Sequence, residues 1–118
     1  MLLLEGGIAS SHSECEVYGY CGAGFRENKD LVIFYSYTCS FDHSSDYTIE
    51  AIIDKDEAVA FARELGVHLT EIPAEINRRY DFPDDAAGVG EVENLFNDIL
   101  ASLLDIHIKY RLERKKGN

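Results

Sequence analysis

Residues 31 to 37 read LVIFYSY, an unbroken run of branched, apolar and aromatic side chains with one serine. Such side chains lose rotamer freedom in a helix and pack well on a pleated surface. The run therefore reads as the central strand of a sheet. The polar cluster Asp42-His43-Ser44-Ser45-Asp46 follows, and then Tyr47 to Ile53 alternates, with Tyr47, Ile49, Ala51 and Ile53 on one set and Thr48 and Glu50 on the other. Two strands about a short polar turn make a hairpin. Upstream, Glu14 to Tyr20 also alternates, with Cys15 and Val17 opposite Glu14 and Glu16, and Leu2 to Leu4 opens a further strand. Gly19 to Gly24 holds three glycines, precedes no helix and carries no lysine, so it reads as a strand end and turn, not a phosphate loop.

Beyond Ile53 the apolar period changes from two to about 3.6. Asp54 followed by Glu57 has the spacing of a capping box, Ala58, Phe61, Ala62 and Leu65 mark one helical face, and Gly66 is a natural stop. A second, short helix is expected from Glu71 to Tyr80, with Pro73 tolerated in its first turn. Residues 81 to 90 read as a loop, and a third helix begins near Glu91 and buries Val92, Leu95, Phe96, Ile99, Leu100 and Leu103. Residues 104 to 112 fit two periods: Ile106, Ile108, Tyr110 and Leu112 alternate, yet Leu103, Ile106 and Tyr110 continue the helical face. The lack of Gly, Pro or a turn cluster favours a continued helix, with the basic C-terminal residues complementing its dipole. The expected fold is α+β in one domain, residues 1–118: an N-terminal antiparallel sheet of three to four strands, then two to three helices packed on one face.

Charge constrains function more than any motif does. The chain has 22 Asp and Glu against 11 Lys and Arg, a net of −11, and five of the basic residues lie among the last ten. With 46% hydrophobic residues, 7 Tyr and 6 Phe, the acidity belongs to a folded surface and not to a disordered tail. The net charge exceeds the magnitude of about 2–8 that suffices for solubility. It disfavours nucleic acid, which requires a basic stripe, and anionic membranes, and it steers basic proteins inward. Two acidic clusters stand out. The first holds Asp42, Asp46, Glu50, Asp54, Asp56 and Glu57. The second holds Asp81, Asp84, Asp85, Glu91, Glu93 and Asp98. Phe41, Tyr47, Tyr80 and Phe82 lie among them. Carboxylates beside rigid aromatics suit a contact with a basic protein, so Asp42, Asp46, Glu50, Asp54, Asp56, Tyr80, Asp81, Phe82, Asp84, Asp85, Glu91 and Glu93 are the candidate partner-binding residues.

The other chemistries are weaker. His12, Cys15, Cys21, Cys39 and His43 fall in one segment, and His12-x-x-Cys15 and Cys39-x-x-x-His43 are candidate ligand pairs, but no CxxC occurs and the spacings match no zinc module. A Cys39–His43 nucleophile needs an electropositive pocket, and the surroundings are acidic. Asp42-x-Ser44-x-Asp46 resembles the start of a calcium loop, with Tyr47 where that loop needs glycine. No catalytic residue and no cofactor are therefore assigned. Three cysteines, an odd and sparse set, fit reduced thiols. Met1 to Leu4 is apolar but ends at Glu5 with no basic region before it, and no run approaches the ~20 apolar residues of a spanning helix, so a cytoplasmic protein is expected.

In size, acidity, α+β pattern and lack of a catalytic motif, the chain resembles the small immunity proteins of bacterial toxin systems, including the partners of contact-dependent inhibition and polymorphic toxins. The resemblance implies a cytoplasmic inhibitor that binds a cognate toxin domain, often a basic nuclease, and blocks its active site with carboxylates standing in for phosphates. The alternatives are a non-catalytic adaptor subunit docking through an apolar helix face, and a small Cys/His metal-binding protein or enzyme.

Overall fold

The structure is a computed structural model, and it describes residues 2–10, 17–39, 41–80 and 89–116. Five strands form one antiparallel sheet in the order of the chain: β1 (Leu3–Ser10), β2 (Val17–Phe25), β3 (Leu31–Cys39), β4 (Tyr47–Ile53) and β5 (Arg111–Lys116). Between β4 and β5 run α1 (Lys55–Leu65), α2 (Ile72–Tyr80) and α3 (Val89–Asp105). The fold is α+β, as expected.

The residues of the 31–37 run sit at the centre of the sheet, with Leu31, Val32, Ile33 and Tyr35 fully buried. Alternation divides them between two cores. Leu31, Ile33 and Tyr35 join Cys21, Ala23, Ala51 and Ile53 beneath the helices, where Phe61, Ile72, Ile76, Phe96, Ile99 and Leu103 meet them. Val32 and Phe34 join Ile52 on the opposite face, under Leu2 and Tyr20. The helices thus cover one face, and a smaller apolar patch fills the other.

Three local expectations are corrected. Residues 19–24 are not a turn but part of β2, paired with β3 throughout and, at residues 20–23, with β1 as well. Their glycines make room for neighbours: a Cβ on Gly22 would stand 2.8 Å from the Phe34 ring, and one on Gly24 would stand 2.8 Å from the Leu2 side chain. The Asp54 carboxylate makes no cap to α1. It meets Arg111 instead, at 3.4 Å, while the Lys55 amide donates to Asp30 Oδ1 from the turn before β3 at 3.1 Å. The cap is therefore tertiary and invisible to local spacing.

The third correction concerns residues 104–112, which do not continue the helix. His107 adopts a left-handed backbone, φ 62°. Its amide donates to the Leu104 carbonyl at 3.1 Å, and the Ile108 amide donates to that of Leu103 at 2.9 Å. These are the two bonds of a Schellman ending, closed by the buried Leu103 and Ile108. Gly66 ends α1 the same way, φ 72°, with Gly66 and Val67 donating to Arg63 and Ala62. After His107 the chain turns back, and β5 pairs with β4 as a fifth strand, one more than the expected maximum of four.

The two sheet edges are protected differently. β1 carries register irregularities near Leu3–Gly6 and Gly7–Ala9, and Asn77 of α2 donates to the Gly7 and Ile8 carbonyls at 3.1 and 3.2 Å. β5 reads RLERKK, a charged edge that discourages further strand pairing.

Candidate functional site

The basic C-terminal residues lie on β5, not at a helix end, and this changes the first acidic cluster. Glu50 on β4 stands opposite Glu113, yet its side chain is only 12% exposed. Arg26 reaches it at 3.4 Å and Lys115 at 2.9 Å, so two cations offset the carboxylate pair. Asp54 holds Arg111. Asp46 is buried at 7% exposure and accepts the Cys39 amide at 2.8 Å, tying the two ends of the β3–β4 connection. Asp42 accepts the hydroxyls of Ser44 and Ser45 within the same turn. Asp56 is exposed in the first turn of α1 and Glu57 is half-buried. As a group these residues are divided between sheet interior, turn and helix start. They do not form one open acidic surface.

Of the second cluster, Asp81, Phe82, Asp84 and Asp85 lie outside the described residues. Tyr80 turns inward: its hydroxyl donates to Ser102 Oγ at 3.4 Å, in a groove of about 450 Å³ among the three helices that Phe61, Leu65, Ile76, Ile99 and Ile106 help to line. Glu93 is half-buried on α3, near enough to the tyrosines of the sheet for its charge to act on them. The phenols of Tyr35 and Tyr47 have raised pKa values, chiefly through burial, and the Glu93 charge adds to both shifts.

What remains open is the outer face of α3. Glu91, Asp98 and Asp105 are exposed and seven residues apart. Two turns of helix nearly repeat every seven residues, so the three carboxylates form a strip about 21 Å long. Asn94, Asn97, Ala101 and Leu104 are exposed beside it, with Leu104 at 61%. Helix α3 has no Lys or Arg. Among the described residues none of the three strip carboxylates has an ion-pair or hydrogen-bond partner. Of the three, only Glu91 was among the candidate partner-binding residues; Asp98 and Asp105 were not. Their signal is the seven-residue spacing of Glu91, Asp98 and Asp105, which could be read from the sequence alone.

Thiol and metal chemistry have little support in the described geometry. Cys21 is fully buried beneath the helices, and burial pushes its thiol up to about 12, so it stays protonated and packs as a small apolar group. Cys39 is half-buried at the end of β3. His12, Cys15 and the His43 side chain lie outside the described residues. Among those described, no group of three or more His, Cys, Asp or Glu side chains is arranged to hold a metal. No described helix is long and apolar enough to cross a membrane. No protein-family model, curated protein or solved structure matches the chain.

Proposed function

We propose that the protein is an immunity-type inhibitor, a non-catalytic cytoplasmic protein that binds a basic toxin domain, such as a nuclease, and covers its active site. The observation that carries this reading is the strip of Glu91, Asp98 and Asp105. It presents three solvated carboxylates on one helix, with no cation among the described residues to neutralise them. A nuclease surface selects for regularly placed anions, and a helix strip supplies them with little conformational entropy to lose on binding. Leu104 and Ala101 beside the strip give an apolar contact for the partner to cover. The size, acidity and α+β pattern that the chain shares with immunity proteins of bacterial toxin systems support the same reading.

The test is recovery of a partner by tagged protein from its own cells, beside a variant with Glu91→Gln, Asp98→Asn and Asp105→Asn. The expected result is a basic partner held at low salt, released at high salt, and lost or much reduced with the variant. A partner retained equally by both proteins and unaffected by salt overturns the charge mechanism and favours an adaptor docking through apolar contacts.

A further inference from the structure

Strand β5 sorts its four cations by face. Arg111 and Lys115 point to the face away from the helices and are engaged, Arg111 with Asp54 and Glu113, and Lys115 with Glu50. Arg114 and Lys116 alternate with them onto the other face, and among the described residues neither has a carboxylate within ion-pairing distance.

Their surroundings form a site. Tyr37 of β3 stands opposite Tyr47 of β4, which stands opposite Lys116 of β5. The two rings stack, with centroids 5.2 Å apart and planes 14° apart. The Arg114 guanidinium lies over Tyr47, 4.4 Å from the ring centroid. These groups, with the turn that joins β3 to β4, bound an open cavity of about 680 Å³, within the range of small-molecule sites. A guanidinium over a ring face keeps N–H donors that can take an oxyanion, through two parallel hydrogen bonds where the geometry allows. Lys116 adds a second positive charge, and the tyrosine pair offers a flat apolar wall. Two carboxylates oppose an anion here. Asp46 lines the cavity, but it already accepts the Cys39 amide, and Glu93 acts on Tyr47 from α3.

We infer that the cavity between the Tyr37–Tyr47 stack and the Arg114–Lys116 pair of β5 binds a small organic oxyanion, a carboxylate or phosphate carried on a flat apolar body. The site does not depend on the α3 strip and stands whether or not the inhibitor reading holds.

The test is titration of the full chain with phenyl phosphate and with benzoate, followed through backbone amide shifts, with benzyl alcohol as the uncharged comparison. The expected result is a saturable shift centred on Tyr37, Tyr47, Arg114 and Lys116, with a Kd on the order of 1 mM or tighter for at least one anion. Arg114→Gln is expected to weaken that binding about tenfold, the equivalent of one charge-assisted contact. Arg111→Gln, which removes a cation of the same strand from the other face, is expected to leave it unchanged. The inference is overturned by the absence of saturation with both anions, by equal binding of benzyl alcohol, or by equal losses in the Arg111 and Arg114 variants. The last outcome would mean that only the overall charge of the strand was being read. Lys116→Gln gives an independent check should Arg114→Gln fail to fold.

Discussion

Asp46, Glu50 and Asp54 lie on or beside β4, and each has a backbone amide or a cation within reach. Glu91, Asp98 and Asp105 lie on α3, and none has a partner among the described residues. Position in the fold explains the difference. A strand inside a sheet has neighbours on both sides, and β5 brings Arg111 and Lys115 alongside β4 from a point far along the chain. Among the described residues, no element lies against the outer face of α3. Its carboxylates remain in water, about 10 Å apart along the helix and so near the Debye length at moderate salt, where mutual repulsion is slight. The first set therefore bears on stability, and the second is free to bear on a partner.

The largest expected effect on stability comes from Asp46. Asp46→Ala removes a buried carboxylate and leaves the Cys39 amide without its acceptor. Hydrogen bonds to charged groups contribute about 1.5–3 kcal/mol, so a loss of about 2 kcal/mol is expected in urea unfolding. A loss below about 0.5 kcal/mol would place Asp46 with the solvated carboxylates and break the comparison at its strongest point.

Glu50 comes next. Glu50→Gln leaves Arg26 and Lys115 without their shared carboxylate, while removing its repulsion with Glu113. The site is neither fully exposed nor fully buried, and about 1 kcal/mol is expected, between the values for surface and buried pairs. Replacing Lys115 in the same background distinguishes the two cations: if the Glu50–Lys115 contact matters, the double variant loses less than the sum of the single ones.

How much of this was readable from sequence depended on whether the cause was local. The residues of β3 and β4 and the buried face of α3 followed from periodicity, because each residue's neighbours along the chain are also its structural neighbours. The two Schellman endings mark the limit. Gly66 announces its left-handed backbone, whereas His107 adopts the same conformation without glycine, because burial of Leu103 and Ile108 selects the turn. With that ending missed, β5 was missed, and with β5 the cations that neutralise Glu50 and Asp54. Counting acids along the chain grouped Glu50 and Asp54 with exposed carboxylates and could not show that both were already paired. The Arg114–Tyr47 contact was hidden for the same reason, since it needs the register of β4 against β5.

Glu75 gives a pH test of the paired class. Arg78 donates to it at 3.0 Å and Arg79 at 2.6 Å, and these bonds lower its carboxyl from the ordinary 4.5 to about 2. Because the folded-state pKa is the lower one, its stabilising contribution is fully present above pH 4.5 and fades as pH falls toward 2. The stability gap between the native chain and Glu75→Gln is therefore expected to be constant from pH 7 to about 5 and to close below that. A gap that persisted unchanged to pH 2 would show that the pair with the two arginines is not its source.

The smallest expected effect on stability is that of the α3 strip. Glu91→Gln, Asp98→Asn and Asp105→Asn together remove three charges that touch nothing in the described fold, so unfolding is expected to shift by no more than about 0.5 kcal/mol in either direction. The same triple variant is expected to bind a basic partner far more slowly at low salt and with a flatter salt dependence, because the field that steers encounter has been removed. Unfolding and association measured on this one variant thus separate the two roles. Loss of binding with stability intact assigns the strip to a partner. A destabilisation approaching that of Asp46→Ala would instead mean that α3 has a structural contact on its outer face, and the contrast with β4 would disappear.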